Sequence, residues 1–257
     1  MPALSELHRP RCWEDVAGQQ KAVRAIRKVL KRGWGGRAWW ITGSSGTGKT
    51  TLAKLIAAEG ASELATEEQD AGSLTPARLR ELERQYAVRP LPVDGKAGWA
   101  IVVNECHKLR KDTVTALLDV LERLPGHACW LFTTTRQGQA RLFDDDKDGD
   151  CAPLVSRCVE VELQDTPDSR LALAQRAKAV AELAGCDGIP EPAYLLAVTQ
   201  CRGNLRAVLQ RVEAGTLVST ARAECDAYLQ KPLKDQNQQT RQIMQACLAA
   251  LEKVDQQ

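Results

Sequence analysis

The sequence is short of aromatic residues, of net charge and of long apolar runs, and the last two shortages limit the class of protein. Aromatic residues make up 4% of the 257 residues, and 35 basic side chains stand against 33 acidic ones. A net charge of +2 gives no overall field that would attract a polyanion, so any basic surface must be local. No apolar run approaches the roughly 18 residues of a membrane span. Residues 1–13 lack the basic and then apolar layout of a signal peptide, so we expect a soluble protein of the cytoplasm, or of the nucleus in a eukaryote.

The cysteines lack the spacing of a disulfide framework or of a zinc site. There are nine, an odd number, and no two of them form a C-x-x-C pair. We therefore expect reduced thiols, as is usual in a reducing compartment. The composition, 44% hydrophobic and 26% charged, suits one or two globular domains with apolar cores.

Strand and helix patterns alternate over the first two thirds of the chain. CVEVELQ (158–164) is predicted to be the last strand, and the apolar runs of strand length are RAWWITG (37–43), WAIVVNE (99–105) and ACWLFTTT (128–135). Such runs are typical of parallel strands that helices cover on both faces. Segments with apolar residues at helical spacing are GQQKAVRAIRKVLKRG (18–33), TLAKLIAAEGA (51–61) and DTVTALLDVLERL (112–124). The pattern predicts an α/β fold with a parallel sheet flanked by helices.

The pattern changes near residue 165. Thr166 followed by Pro167 is a typical helix start, because a threonine caps the first turn and proline fits the first helical position. Only helical spacing follows. We predict an α/β domain over residues 1–165, a small helical domain over 166–232 and a helical tail over 233–257.

The segment GSSGTGKT fits the pattern G-x-x-x-x-G-K-[ST] and lies between a predicted strand and a predicted helix. Its glycines let backbone N–H groups and the helix N-terminus face phosphate oxygens. The Lys49 ammonium suits the β- and γ-phosphates, and the Thr50 hydroxyl suits magnesium. We predict that ATP and Mg²⁺ bind here. The residues expected to contact the nucleotide are Gly43, Ser44, Ser45, Gly46, Thr47, Gly48, Lys49, Thr50 and Thr51.

The strand ending IVVNE supplies a second motif. Glu105 is placed to orient and polarise an attacking water, which is the role of a general base. Asn104 occupies the preceding position, where an acid would hold the water shell of the magnesium. Its amide oxygen can accept a hydrogen bond from a metal-bound water. The missing negative charge, however, weakens magnesium binding by roughly 1 to 3 kcal/mol. We therefore expect slow hydrolysis, with Asn104 and Thr50 as the metal site; the alternative is a buried strand with a polar end and no catalysis.

Four segments resemble motifs of the AAA+ clamp-loader ATPases, which include the small subunits of replication factor C and the gamma and delta-prime subunits of DNA polymerase III. The segments are HRPRCWEDVAGQQ (8–20), NECHKL (104–109), PLVSRC (153–158) and GNLRAVLQ (203–210). Their order and spacing cover most of the chain. The resemblance implies an AAA+ P-loop NTPase domain followed by a small helical lid. It also implies a ring or spiral of identical or different AAA+ subunits that acts on DNA and a sliding clamp, without a membrane.

The resemblance also assigns roles around the nucleotide. Arg9, Pro10 and Val16 would line the adenine pocket. Thr135 would be a first sensor, whose hydroxyl holds the water or the γ-phosphate. Arg206 would be a second sensor that touches the phosphates from the lid.

Other assigned roles concern partners. Arg157 would be an arginine finger that stabilises charge on the nucleotide of a neighbouring subunit. Lys108, Arg110 and Lys111 would touch a phosphate backbone of DNA, although a solvated basic loop is the plainer alternative. The residues after the predicted lid are fewer than the several helices of a clamp-loader collar need, so we expect a truncated or absent collar domain.

Two functions of different classes therefore stand side by side. The leading hypothesis is a clamp-loader-like ATPase subunit that hydrolyses ATP slowly. The alternative is a scaffold subunit that binds ATP without hydrolysing it and donates Arg157 to an active neighbour. A third possibility keeps the ATPase but places it in a branch-migration or phage-defence machine.

Overall fold

The computed structural model describes residues 2–135, 152–186, 189–231 and 237–254. Its contacts divide the chain into two compact units. The sheet unit comprises Arg11–Trp13 and Gln19–Leu163, and the helical unit comprises Met1–Pro10, Glu14–Gly18 and Gln164–Gln257. The sequence pattern assigns the N-terminal residues to the α/β domain, whereas contacts place most of them with the helical unit.

The strands in chain order are β1 (Arg37–Thr42), β2 (Ala61–Asp70), β3 (Gly98–Asn104), β4 (Ala128–Thr134) and β5 (Cys158–Glu162). The helices are α1 (Leu4–Leu7), α2 (Gln20–Leu30), α3 (Lys49–Ala58), α4 (Pro76–Tyr86), α5 (Lys111–Glu122), α6 (Ala152–Val155), α7 (Pro167–Leu183), α8 (Glu191–Gln200), α9 (Leu205–Glu213), α10 (Leu217–Leu229) and α11 (Gln238–Val254). Short 3₁₀ helices cover Trp13–Asp15 and Cys106–Lys108. In the described part of the chain, no helix is long and apolar enough to span a membrane.

The described strands form one parallel sheet in the order β2-β3-β4-β1-β5. The predicted α/β class is therefore confirmed. Every residue of β4 is buried, as its continuous apolar run predicts. Trp40, Trp130 and Phe132 pack in one core cluster, with 5.8 Å between the Phe132 ring and each tryptophan ring. The strand order brings the carboxyl ends of β3, β4 and β1 side by side, and loops at such an edge are where α/β folds bind ligands.

The edge strand β2 is not apparent from the sequence. Its residues, ASELATEEQD, show neither a continuous apolar run nor regular alternation. It pairs with β3, with an irregularity between Ala61 and Thr66. Because side chains alternate along a strand, Glu68 and Asp70 share one face and Glu67 lies on the other. This strand brings carboxylates to the edge of the sheet next to the end of β3.

Helix α7 of the helical unit begins with the predicted cap. The Thr166 side chain accepts a hydrogen bond from the Ser169 amide (3.2 Å), and the Ser169 hydroxyl accepts one from the Thr166 amide (2.8 Å). Pro167 occupies the first helical position, so the predicted helix start is confirmed. At the other end of the unit, α11 buries Met244 and Cys247 in the same apolar cluster as α7 to α10. The helix at the end of the chain is therefore part of this unit's core.

Candidate nucleotide site

The predicted phosphate-binding loop joins β1 to α3. Gly46 and Gly48 adopt φ values of +72° and +99°, in the left-handed region where residues with a side chain are strained. The Thr47 hydroxyl donates a hydrogen bond to the Ser44 carbonyl (2.8 Å), which closes the loop on itself. The result is a curled backbone directly before a helix N-terminus, and both features favour anion binding.

Lys49 is the first residue of α3 and is only 8% exposed. Its ammonium donates hydrogen bonds to the carbonyl oxygens of Gly43 (3.1 Å) and Ser44 (2.8 Å). A buried charge is costly unless it is well solvated by acceptors, and charged phosphate oxygens are stronger acceptors than neutral carbonyls. The lysine is therefore held at the loop with a large electrostatic preference for an anionic ligand.

Asn104, the last residue of β3, connects three other elements through its side chain. Its Oδ1 accepts hydrogen bonds from the Thr50 hydroxyl of α3 (3.0 Å) and the Thr133 hydroxyl of β4 (2.9 Å). Its Nδ2 donates to Oε1 of Glu68 on β2 (2.6 Å). Since the Thr50 hydroxyl donates its hydrogen bond to Asn104, the lone pairs of the Thr50 oxygen can face a cation. An amide oxygen has two lone pairs, so Asn104 must release a threonine before it can accept a bond from a metal-bound water.

Glu68 carries the negative charge of this cluster. Its Oε2 lies 2.7 Å from the Lys54 ammonium of α3, and about two fifths of each side chain is exposed. An ion pair with that exposure contributes no more than about 1 kcal/mol to folding. The pair nevertheless ties the carboxylate to the helix that follows the phosphate-binding loop.

Glu105 follows β3 with a φ of +57°, which is uncommon for a residue with a side chain. Such backbone conformations cost about 1 to 3 kcal/mol and occur preferentially at functional sites. Its Oε2 lies 3.4 Å from Nε2 of His107, whose Nδ1 lies 3.4 Å from the Thr134 hydroxyl. When Nε2 carries the imidazole proton, it faces the carboxylate and Nδ1 accepts from Thr134. His107 therefore links Glu105 to the end of β4 and restricts where the carboxylate can lie.

The donor set suits magnesium that arrives with a nucleotide. Within the described ranges, no group of three or more His, Cys, Asp or Glu side chains could hold a metal ion. Mg²⁺ is usually held by one or two protein oxygens together with phosphate oxygens and water. The Thr50 hydroxyl, with its proton directed at Asn104, fits that requirement. A metal at this place would depend on the phosphates as much as on the protein.

Arg157 lies between α6 and β5, and its guanidinium is engaged within the sheet unit. Its Nη2 donates to Glu122 Oε1 at the end of α5 (2.6 Å), and its Nη1 donates to the Pro153 carbonyl (2.9 Å). Both side chains of the ion pair are exposed to solvent, so the pair is worth about 1 kcal/mol or less and another anion can compete for the arginine. Burial raises the pKa of the adjacent Cys158 thiol to about 12, which leaves it protonated and unreactive.

The remaining nucleotide contacts implied by the resemblance belong to the helical unit. Arg9, Pro10 and Val16 are in its N-terminal segments, and Arg9 pairs with Glu6 at 2.6 Å. Arg206 is exposed and is the second residue of α9. Their roles at the nucleotide stay predictions.

The predicted DNA-contacting residues lie around the start of α5. The Lys108 ammonium is 3.4 Å from Asp70 Oδ2, so part of its charge is offset within the protein. Arg110 and Lys111 are exposed at the N-terminus of the helix. Contact of these side chains with a phosphate backbone stays a prediction.

The chain is similar in sequence to subunits of bacterial DNA polymerase III. It is 26% identical over 187 residues to the gamma subunit of Buchnera aphidicola subsp. Acyrthosiphon pisum, which covers 63% of this chain and 47% of that protein. It is 26% identical over 179 residues to the tau subunit of Bacillus subtilis, which covers 61% of this chain and 30% of that protein. No protein-family profile matches the chain.

The fold is shared with a solved motor protein. The Thermotoga maritima RuvB Holliday junction branch migration motor matches with a TM-score of 0.58 and 19% identity, over 80% of this chain and 64% of that one. The chain has the AAA+ fold and resembles clamp-loader subunits. Both the fold and the resemblance predicted from the sequence motifs are thereby confirmed. The chain spans less than half the length of the two polymerase subunits, and an identity as low as that with RuvB shows the common fold alone.

The structure adds side chains to the candidate nucleotide site that the motifs do not indicate. Glu68 lies on a strand without a recognisable pattern, so no local signal points to it. Thr133 and Thr135 both belong to the run LFTTT. The resemblance selects Thr135, whereas in the structure the Thr133 hydroxyl donates a hydrogen bond to Asn104. His107 is within NECHKL, but its link to Glu105 depends on the turn that follows β3.

Proposed function

We propose that the chain is an ATP-binding AAA+ subunit of the clamp-loader type that hydrolyses ATP slowly. The observation that carries the proposal is the convergence of the Lys49 ammonium, the Thr50 and Asn104 pair, and Glu105 where β1 and β3 end. The similarity to the gamma and tau subunits of DNA polymerase III supports the same assignment.

Each residue has a distinct part in the proposed hydrolysis. Lys49 and the loop amides bind the β- and γ-phosphate oxygens. Thr50 would hold Mg²⁺, together with Asn104 once one of the two threonines releases its amide oxygen, and the metal would neutralise phosphate charge. The oxygen of a water molecule attacks the γ-phosphorus while the bond to the bridging oxygen breaks, and Glu105 accepts the proton of that water. The hydroxyl of Thr135, directly after β4, orients the same water.

The partners follow from the family resemblance. We propose that the subunit assembles with other AAA+ subunits on DNA and acts on a sliding clamp. In that assembly Arg157 serves the nucleotide of a neighbour, and Arg206 serves its own. The adenine is held by Arg9, Pro10 and Val16.

The proposal is tested by phosphate release from the purified chain at saturating ATP and Mg²⁺, with and without primed DNA. We expect a slow basal rate that primed DNA and partner subunits increase. Absence of ATP binding by the purified chain would contradict the proposal.

One observation favours the ATP-holding scaffold as the second candidate. Both lone pairs of Asn104 Oδ1 are used by threonines, so the residue in the position of the usual acid has no acceptor left for a metal-bound water. Tight ATP binding with no turnover, even with DNA and partner subunits present, would support the scaffold instead of the slow ATPase.

Replacement of Arg157 by alanine is expected to matter only in the assembly. ATP affinity of the isolated chain should stay unchanged, because the guanidinium is occupied by Glu122 and a carbonyl group of its own chain. Turnover in the complex should fall about 10³-fold or more, the range measured for arginine fingers. The measurements are ATP binding by the single chain and phosphate release by the complex.

Arg123→Ala is the matched control, because Arg123 is an exposed arginine at the end of α5. It should leave both quantities unchanged. If the isolated Arg157→Ala chain lost ATP affinity by the same factor as the complex loses turnover, Arg157 would act on the nucleotide of its own chain.

A further inference from the structure

The negative charge that Asn104 lacks is present on the neighbouring strand. Glu68 Oε1 accepts a hydrogen bond from Asn104 Nδ2 at 2.6 Å, and Glu68 Oε2 pairs with Lys54 at 2.7 Å. In the pairing of β2 with β3, Asp70 is directly opposite Asn104, so the contact with Glu68 is a diagonal one between adjacent strands. Asn104 and Lys54 thus hold the two oxygens of one carboxylate, and the same Asn104 amide accepts a hydrogen bond from Thr50.

Glu68 has the acceptor capacity that Asn104 has used up. The asparagine oxygen accepts from Thr50 and Thr133, which occupies both of its lone pairs. A carboxylate offers about four lone-pair sites, and the described contacts of Glu68 use two of them. Glu68 can therefore accept a further hydrogen bond from a water bound to a cation, with a carboxylate charge that Lys54 offsets in part.

The same contact explains why the amide at position 104 is compatible with this site. An aspartate at 104 would put two carboxylates within hydrogen-bond distance, and two such groups cannot both stay ionised without repulsion. Asparagine instead donates to the carboxylate and fixes it. A carboxylate on β2 is therefore in hydrogen-bond contact with the position where β3 ends in an amide.

We propose that Glu68 supplies the carboxylate of the magnesium site, by accepting hydrogen bonds from the water shell of the metal, and that the Asn104 amide positions it. This inference rests on the proposed ATP and Mg²⁺ binding. It assigns the missing acid to a residue outside every motif of the sequence.

The test is binding of a fluorescent ATP analogue over a Mg²⁺ series and in EDTA. Glu68→Gln keeps an acceptor oxygen for Asn104 but removes the charge, so the fold should persist. A hydrogen bond to a charged acceptor is stronger than one to a neutral acceptor, and the difference in free energy corresponds to about a factor of ten in a binding constant. We therefore expect the Mg²⁺ concentration at half-maximal binding to rise about tenfold. In EDTA the variant should bind the analogue as well as wild type or better, because a carboxylate near the phosphates repels them when no metal is present.

Glu63→Gln is the matched control, because it makes the same change at an exposed position of β2. Its Mg²⁺ midpoint should equal that of wild type. The double variant Asn104→Asp/Glu68→Gln, which returns the charge to β3, should recover the wild-type midpoint. Asn104→Asp alone should gain less than it does in the Glu68→Gln background, because its carboxylate meets that of Glu68.

The outcomes separate the inference from the proposed function. If Glu68→Gln and Glu63→Gln have the same Mg²⁺ midpoint while wild type binds the analogue with magnesium, Glu68 is not part of the metal site and the inference fails alone. The inference also fails if Asn104→Asp lowers the Mg²⁺ midpoint by the same factor in the wild-type background and in the Glu68→Gln background. If wild type does not bind the analogue at any Mg²⁺ concentration, the proposed function fails and the inference with it.

Discussion

Replacement of Lys49 by alanine is expected to weaken ATP binding by more than a hundredfold. The ammonium is nearly buried at the start of α3 and has a strong preference for charged acceptors over the loop carbonyls it now contacts. Its loss removes charge-assisted hydrogen bonds worth roughly 3 kcal/mol in total, which corresponds to somewhat more than two orders of magnitude in Kd. The measurement is equilibrium binding of a fluorescent ATP analogue.

The control for this prediction is Lys28→Ala, which removes the charge of an exposed lysine on α2. It should bind ATP like wild type. Thermal unfolding without nucleotide should show that Lys49→Ala is folded. Unchanged affinity in folded Lys49→Ala protein would overturn the assignment of the phosphate-binding loop.

Replacement of Glu105 by glutamine is expected to stop hydrolysis while ATP stays bound. Glutamine has almost the same shape but cannot accept a proton from the attacking water. General bases contribute about 10²- to 10⁴-fold to turnover, so a slow ATPase should become undetectable. Steady-state phosphate release and ATP affinity, measured on the same preparation, separate the two effects.

His107→Phe tests whether Glu105 is positioned by its neighbour. Phenylalanine fills similar space but cannot face the carboxylate with a donor or accept from Thr134. Turnover should fall less than in Glu105→Gln, and ATP affinity should stay the same.

Full activity of Glu105→Gln would show that another group takes the proton.

The sequence predicts the sheet well where burial dictates the residue type. β1, β3 and β4 lie inside a parallel sheet, so apolar side chains are required along their length and appear as continuous runs. The start of α7 is equally predictable, because Thr166 and Pro167 meet local requirements of the first helical turn. β2 is hidden because it lies at the sheet edge, where polar side chains are tolerated on both faces.

The candidate site divides in the same way. Short motifs, whose spacing is fixed by one loop or one turn, contain Lys49, Thr50 and Glu105. These residues can therefore be predicted from the sequence. Glu68 reaches Asn104 across two strands that are distant in sequence, and this contact depends on strand order and register. A substitution read from the motif alone therefore looks like a loss of charge, whereas the structure shows a carboxylate in contact with the substituted residue.

The central claim, that this chain hydrolyses ATP slowly, is tested most directly by a single-turnover experiment. Labelled ATP is bound to an excess of the protein with Mg²⁺, and its conversion to ADP is followed over minutes to hours. We predict slow but complete conversion by wild type and none by Glu105→Gln. Bound ATP that stays intact in wild type for as long as in Glu105→Gln, with DNA and partner subunits present, would contradict the claim.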